Sequence, residues 1–305
     1  SARLSSIQLP TIANIFSAKD SDTAGVPITH IFTASENVLV LRIETGELVR
    51  GKQVVYEPQP GDVIKKEGWV SRQGKFIGQL VPDTHTQIIR LADEYVGPKL
   101  NTECIDTLDS YQITTSDGTQ ITPSNIYRKS NIRDMAETGP WRFEWPMVHT
   151  VFLDLPDELT VEETYRMSFG KSGLGDTTFV YEPEQTRSEA VHVSHLGFDP
   201  DDLAKVAFLS TWMGNGGGLD YGEGKSFWLI DTATGKKVYE GKTTLSQSKD
   251  YKDLQDRNHN DSDVFMMDFS QFSTPGQYRV YVDGVGTSYD FEIGENTWRD
   301  AFYVS

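Results

Sequence analysis

Residues 191–212, VHVSHLGFDPDDLAKVAFLSTW, gather two histidines and three aspartates into one short segment. Two readings compete. One is a His192-x-x-His195 metal site with acidic neighbours; the other is a strand, a polar turn and a second strand. Side chains along an extended chain alternate between its two faces. His192 and His195 are three positions apart, so a strand sends them to opposite sides and denies them a shared metal. Pro200 and the aspartates around it are turn formers, and KVAFLS resumes the apolar alternation. The segment is therefore read as the opening of a β domain.

The same alternation runs on both sides of it. ITHIFTA, VLVLRIETG, KQVVYEP and KFIGQLV in the first part switch between apolar and polar residues with Gly, Pro or Asp punctuation, as half-buried antiparallel strands do. SYQITTSDGTQI carries Asp117-Gly118 at a hairpin position, where positive φ is required. MVHTVFLDLP and TYRMSFG follow, with Tyr165 opening a strand that packs back. Around GKSGLGDTTFVYEPEQTRSEAVHVS the composition turns polar and Gly-rich before a fresh alternation starts, which sets a boundary near Arg187. The expected fold class is all-β: a β-sandwich accessory domain over 1–187 and a second sandwich, of immunoglobulin-like length, over 188–305.

Charge and cysteine usage narrow the function. A formal net charge of −17 over 305 residues argues against nucleic acid and anionic membranes as partners, because phosphate binding needs a basic face. No apolar run approaches the length of a membrane span. The single cysteine, Cys104, excludes an internal disulfide framework. With no Cys-His signature around it, a structural thiol is expected.

The second part resembles a known module. Gly197, Phe198, Pro200, Lys205 and Ala207 come first, then Asp231, Gly235, Val238 and Gly241. Asp268, Phe269, Ser270, Phe272, Pro275, Gly276 and Tyr278 complete the series. In this order, across residues 190 to about 296, they resemble the N-terminal immunoglobulin-like domain of family 9 glycoside hydrolases, the cellulase-type enzymes. One departure is His195, where that family's phrase usually has Gln. The resemblance implies a module that carries no catalytic residue, and ENTWRDAFYVS as the linker and first helical turn of a catalytic barrel that is itself missing. An inverting hydrolase needs two carboxylates across a cleft, and no such pair stands in a recognisable motif here. The expectation is a non-catalytic accessory region of a polysaccharide-degrading enzyme, with the parent's catalytic domain as partner and a secreted, periplasmic or cell-surface location.

Four further constellations stand out. Asp256-x-Asn258-x-Asn260, with Asp261 and Asp263 beside it, has the oxygen spacing of a calcium loop, but Asp261 at the sixth position and Met267 at the twelfth depart from that pattern; a solvated, turn-forming loop and a structural Ca²⁺ are the two readings. The loop WMGNGGGLDYGEG leads into a strand without a phosphate-binding Lys or Arg, and is expected to lean against the missing catalytic domain. Trp69, Trp141 and Trp145, with Arg142, are a candidate platform for sugar rings; burial in a sandwich core is the competing fate. Exposed tryptophans in the first domain would favour the alternative function, a carbohydrate-binding module. Arg128, Lys129 and Arg133 form a small basic cluster.

Overall fold

The computed structural model describes residues 25–82 and 87–304. Antiparallel strands dominate, with short helices at Thr102–Ile105 and Thr297–Val304, so the molecule is all-β as expected. The chain forms two compact units. One holds Glu44–Leu100 and Asn131–Val148; the other holds Ile28–Ile43, Asn101–Ser130 and His149–Ser305.

The first unit is built on a five-stranded sheet, in the order Gln53–Val55, Ile88–Leu91, Lys75–Leu80, Trp69–Arg72 and Asp62–Ile64. Val54, Tyr56, Val70, Leu80 and Ile89 form its core. Arg72 binds Asp62 through Nε at 2.8 Å and Nη2 at 2.9 Å, and the Tyr56 hydroxyl donates to the same carboxylate at 2.9 Å. The Arg72 guanidinium holds that carboxyl well below the usual carboxylate range.

The second unit contains two sandwich-like pairs of sheets. In the earlier part of the chain, Ile28–Ser35, Val38–Thr45, Met147–Asp154 and Asn125–Ile132 form one sheet. Gln120–Ile121, Gln112–Thr114, Thr164–Ser168 and Thr177–Val180 form the other. Asp117-Gly118 makes the expected hairpin turn, with Gly118 at φ +89°. Tyr165 is buried, and its hydroxyl accepts from the Thr160 amide at 2.8 Å.

The later part has the immunoglobulin-like arrangement. One sheet runs Val191–Val193, Val206–Leu209, Val264–Asp268, Thr244–Gln247; the other runs Lys237–Lys242, Ser226–Asp231, Gly276–Val282, Gly286–Thr287, with Phe291–Ile293 also pairing Gly276–Val282. Period-two alternation buries Tyr278, Val280 and Val282 together, as expected. The core centres on an aromatic trio: Phe198 meets Phe269 edge-on at 5.4 Å and Phe291 at 5.7 Å. Asp231 Oδ1 accepts from the Ala233 and Thr234 amides, and Gly235 closes that turn at φ +68°. Gly276 differs from expectation. It begins a strand without a left-handed backbone, and its need is space: a Cβ there would lie 2.7 Å from the Tyr278 hydroxyl, which folds back to donate to the Thr274 carbonyl at 3.1 Å.

The segment around residue 187 is a ladder. The Thr33 amide donates to the Arg187 carbonyl at 3.1 Å and the Glu189 amide to the Thr33 carbonyl at 2.8 Å. On the other side, the Ser188 amide donates to the Thr287 carbonyl at 2.7 Å and the Thr287 amide to the Thr186 carbonyl at 2.9 Å. Residues 186–189 thus join strand Ile28–Ser35 to strand Gly286–Thr287.

Phe269 is fully buried within the aromatic trio. Phe269→Ala should lower the unfolding free energy by about 3–5 kcal/mol, the cost of a lost ring plus an unfilled cavity. Urea unfolding measures it, and a loss below about 1 kcal/mol would show that the trio does not carry this core.

Candidate functional site

Trp141 follows Pro140 at the tip of the hairpin between Ala136–Gly139 and Arg142–Glu144. It takes φ +57°, an uncommon conformation for a bulky side chain, and is 79% exposed. Trp69 is half-buried and meets it edge-on, with ring centroids 6.2 Å apart. Trp145 is 45% exposed and shares no ring contact with either among the described residues; Arg142 is exposed. The structure therefore brings Trp69 and Trp141 together and leaves Trp145 apart. Burial in a core is not their fate. Lys99 pairs with Glu144 at 3.2 Å beside them.

The basic cluster is dispersed among acids. Arg128 grips Asp106 through Nε and Nη2, each at 2.7 Å, Lys129 pairs with Glu189 at 3.3 Å, and Arg133 pairs with Glu44 at 2.7 Å. Arg128 Nη1 also donates to Ser130, whose hydroxyl contacts His149 Nδ1 at 2.8 Å. His149 is buried, and desolvation keeps its imidazole below the ordinary histidine range. Cys104 is half-buried, with its sulfur 3.1 Å from the Ser110 hydroxyl.

The proposed calcium loop is organised by its own hydrogen bonds. Asn258 Oδ1 accepts from the Asn260 and Asp261 amides at 2.8 and 3.0 Å, while its Nδ2 donates to the Ser248 and Lys249 carbonyls. Asp263 accepts from the Lys249 amide at 2.6 Å, and the exposed Asp256 pairs with Lys252 at 3.1 Å. Among the described residues no three His, Cys, Asp or Glu side chains are grouped to hold a metal ion. His192 Nε2 lies 2.9 Å from the Ser210 carbonyl, whereas His195 lies against Tyr289 with centroids 4.9 Å apart. The two histidines serve different neighbours.

The glycine-rich loop is packed on its own chain. A Cβ on Gly216 would overlap the Tyr127 ring, one on Gly214 the Arg128 carbonyl, and one on Gly218 would sit 2.7 Å from the Asp261 carbonyl oxygen. Asn215 Oδ1 accepts from the Arg128 amide at 2.9 Å. Within this chain its partner is strand Asn125–Ile132. Trp212, which opens this loop and which the sequence did not single out, is left 44% exposed. Its only signal was its place beside a run of closely packed glycines.

Residues 186–287 match the family model of the cellulase N-terminal ig-like domain. Among solved structures, a metagenome-derived glycoside hydrolase family 9 endoglucanase is 23% identical, covering 37% of this chain and 19% of its own, with a TM-score of 0.29. A family 9 protein of Bacteroides ovatus is also 23% identical, covering 38% and 18%, with a TM-score of 0.27. An endoglucanase of Alicyclobacillus acidocaldarius is 17% identical, covering 37% and 16%, with a TM-score of 0.26. The chain thus spans less than a fifth of each of these proteins. No curated protein matches it. Among the described residues no helix is long and apolar enough to cross a membrane.

Proposed function

We propose that the chain is a non-catalytic N-terminal accessory region of a secreted, family 9-like polysaccharide-degrading enzyme, and that its immunoglobulin-like part braces a catalytic domain. The observation that carries this reading is the match of residues 186–287 to a cellulase module. Apolar exposure near that module's end supports it. Leu203 is 96% exposed, and Trp298 Nε1 donates to Asp202 at 2.9 Å, tying the helix Thr297–Val304 to the same loop. Phe302 and Tyr303 on that helix are exposed too. Clustered apolar exposure of this kind marks a surface that another body covers.

Leu203→Asp combined with Phe302→Asp tests the bracing role. In a polypeptide that also carries the catalytic domain, the pair should lower that domain's melting temperature by a few degrees. The same pair should leave the present chain's melting unchanged, since both side chains are exposed in it. Unchanged melting in the longer polypeptide would overturn the role.

A second reading, a carbohydrate-binding surface in the first unit, is favoured by the exposed Trp141 with Trp69 at its edge. Aromatic faces pair with the C–H faces of sugars, and Arg142 supplies hydrogen-bond donors. Retention on insoluble cellulose or xylan that Trp141→Ala abolishes is the expected result; no retention on either removes this reading.

Calcium at the 256–263 loop belongs to the same set of proposals. It requires Asp256 to leave Lys252 and Asn258 to turn its carbonyl oxygen outward. A bound ion should raise the melting temperature in millimolar calcium over EDTA, and Asp256→Ala should remove the rise. Equal melting in both buffers would leave the loop to its own hydrogen bonds.

A further inference from the structure

Beside Trp212 the second unit has a cleft of about 330 Å³, near the lower end of the size range of small-ligand sites. Its walls include Trp212, Lys129, Glu189, His192, Asn260 and Asp261. They come from four separate parts of the chain: the strand Asn125–Ile132, the opening of the immunoglobulin-like part, the glycine-rich loop that begins at Trp212, and the polar loop before Val264–Asp268.

The groups in this cleft differ in how far they are already engaged. Lys129 and Glu189 bind each other at 3.3 Å with only about a fifth of each side chain exposed, so they form a neutral, fixed pair. His192 uses Nε2 on the Ser210 carbonyl. Asn260 and Asp261 are bound to the loop through their backbone amides. Their side-chain amide and carboxylate have no hydrogen-bond partner among the described residues, and both residues are exposed. Trp212 is held in place by its backbone: it bridges Gly218, while the Met213 amide donates to the Gly217 carbonyl at 2.7 Å and the Leu219 amide to the Thr211 carbonyl at 3.0 Å. A partly exposed indole on a tightly packed loop therefore stands beside an uncommitted amide and an uncommitted carboxylate.

We propose that this cleft binds a neutral pyranose ring, with Trp212 covering the ring's C–H face and Asn260 and Asp261 taking its hydroxyls. A carboxylate accepts from two neighbouring hydroxyls, and a carboxamide both donates and accepts; together they match a vicinal diol. Two acidic side chains against one lysine disfavour an anionic sugar. Prior fixing of the loop spares the ordering cost that a mobile site carries. The site is separate from the Trp141 surface and stands independently of it.

The test reads Trp212 directly in the full chain. The protein has six tryptophans, and 5-fluorotryptophan labelling gives each a fluorine resonance; the one missing in Trp212→Phe is that of Trp212. Cellotetraose, xylotetraose and mannotetraose are titrated to about 10 mM, where a site of millimolar affinity approaches saturation. The expected result is a saturable shift of the Trp212 resonance with at least one sugar, about tenfold weaker in Asn260→Ala and unchanged in Trp141→Ala. Asn260 is exposed, so its replacement leaves the fold intact. No shift of Trp212 with any of the three sugars overturns the proposal. So does a shift that is unaltered in Asn260→Ala, or one produced by calcium chloride and by none of the sugars. Shifts confined to Trp69 and Trp141 also overturn it, while supporting the other surface.

Discussion

The second unit depends on four residues, Thr186 to Glu189, that are hydrogen-bonded on both sides. Thr33, Ser188 and Thr287 are almost completely buried although each is polar. Buried polar groups must find partners or carry a desolvation penalty, and these find one another. The Thr33 hydroxyl donates to the Val285 carbonyl at 2.6 Å, the Ser188 hydroxyl to the Thr33 carbonyl at 2.9 Å, and the Thr287 hydroxyl to the Thr186 carbonyl at 3.2 Å. The Arg187 side chain leaves this ladder between the rings of Phe32 and Tyr289, with its guanidinium 4.3 and 3.3 Å from their centroids. Burial works against its charge, and the aromatic faces partly offset that. A stretch that reads as a polar linker is thereby hydrogen-bonded backbone on both of its sides.

In the same unit, strand Asn125–Ile132 receives the glycine-rich loop. Alternate glycines let that loop lie against Tyr127, Arg128 and Asp261 at distances no side chain would permit. The Tyr221 hydroxyl adds a further tie, donating to the Ala34 carbonyl at 2.8 Å. Trp212 is positioned as a result of this packing, not by any local preference of its own. The glycines here serve close approach more than flexibility.

Several acidic side chains are similarly committed. Asp62, Asp93, Asp106, Glu44 and Glu189 each hold an arginine or a lysine. Asp117, Asp231 and Asp253 cap turns by accepting backbone amides. Of the oxygens in the 256–260 loop, Asn258 Oδ1 already accepts two backbone amides and Asp256 pairs with Lys252, while the Asn260 side chain has no such duty. Side chains left without such duties, Trp141 in one unit and Trp212, Asn260 and Asp261 in the other, are where recognition of a partner has room to occur.

The sequence by itself determined what local chemistry controls. Period-two alternation marked the strands, Asp117-Gly118 and Asp231 to Gly235 marked turns, and the ordered motif from Gly197 to Tyr278 marked the cellulase-type module, because each depends on residues close together in the chain. Spacing placed both His192 and His195 on one strand, whereas the strand ends at Val193 and His195 lies in the turn that follows it, so a turn and not strand alternation separates the two. Tertiary structure decided the rest. Whether Trp141 was exposed, what the glycine loop packed against, and why Gly276 must lack a side chain all depended on atoms brought close by folding. Alternation states that a residue has a buried or an open side; only the packed chain states what lies on that side. The cleft at Trp212 draws on residues 129, 189, 192, 212, 260 and 261, and no sequence pattern spans that distance, because those residues come together only in the folded chain.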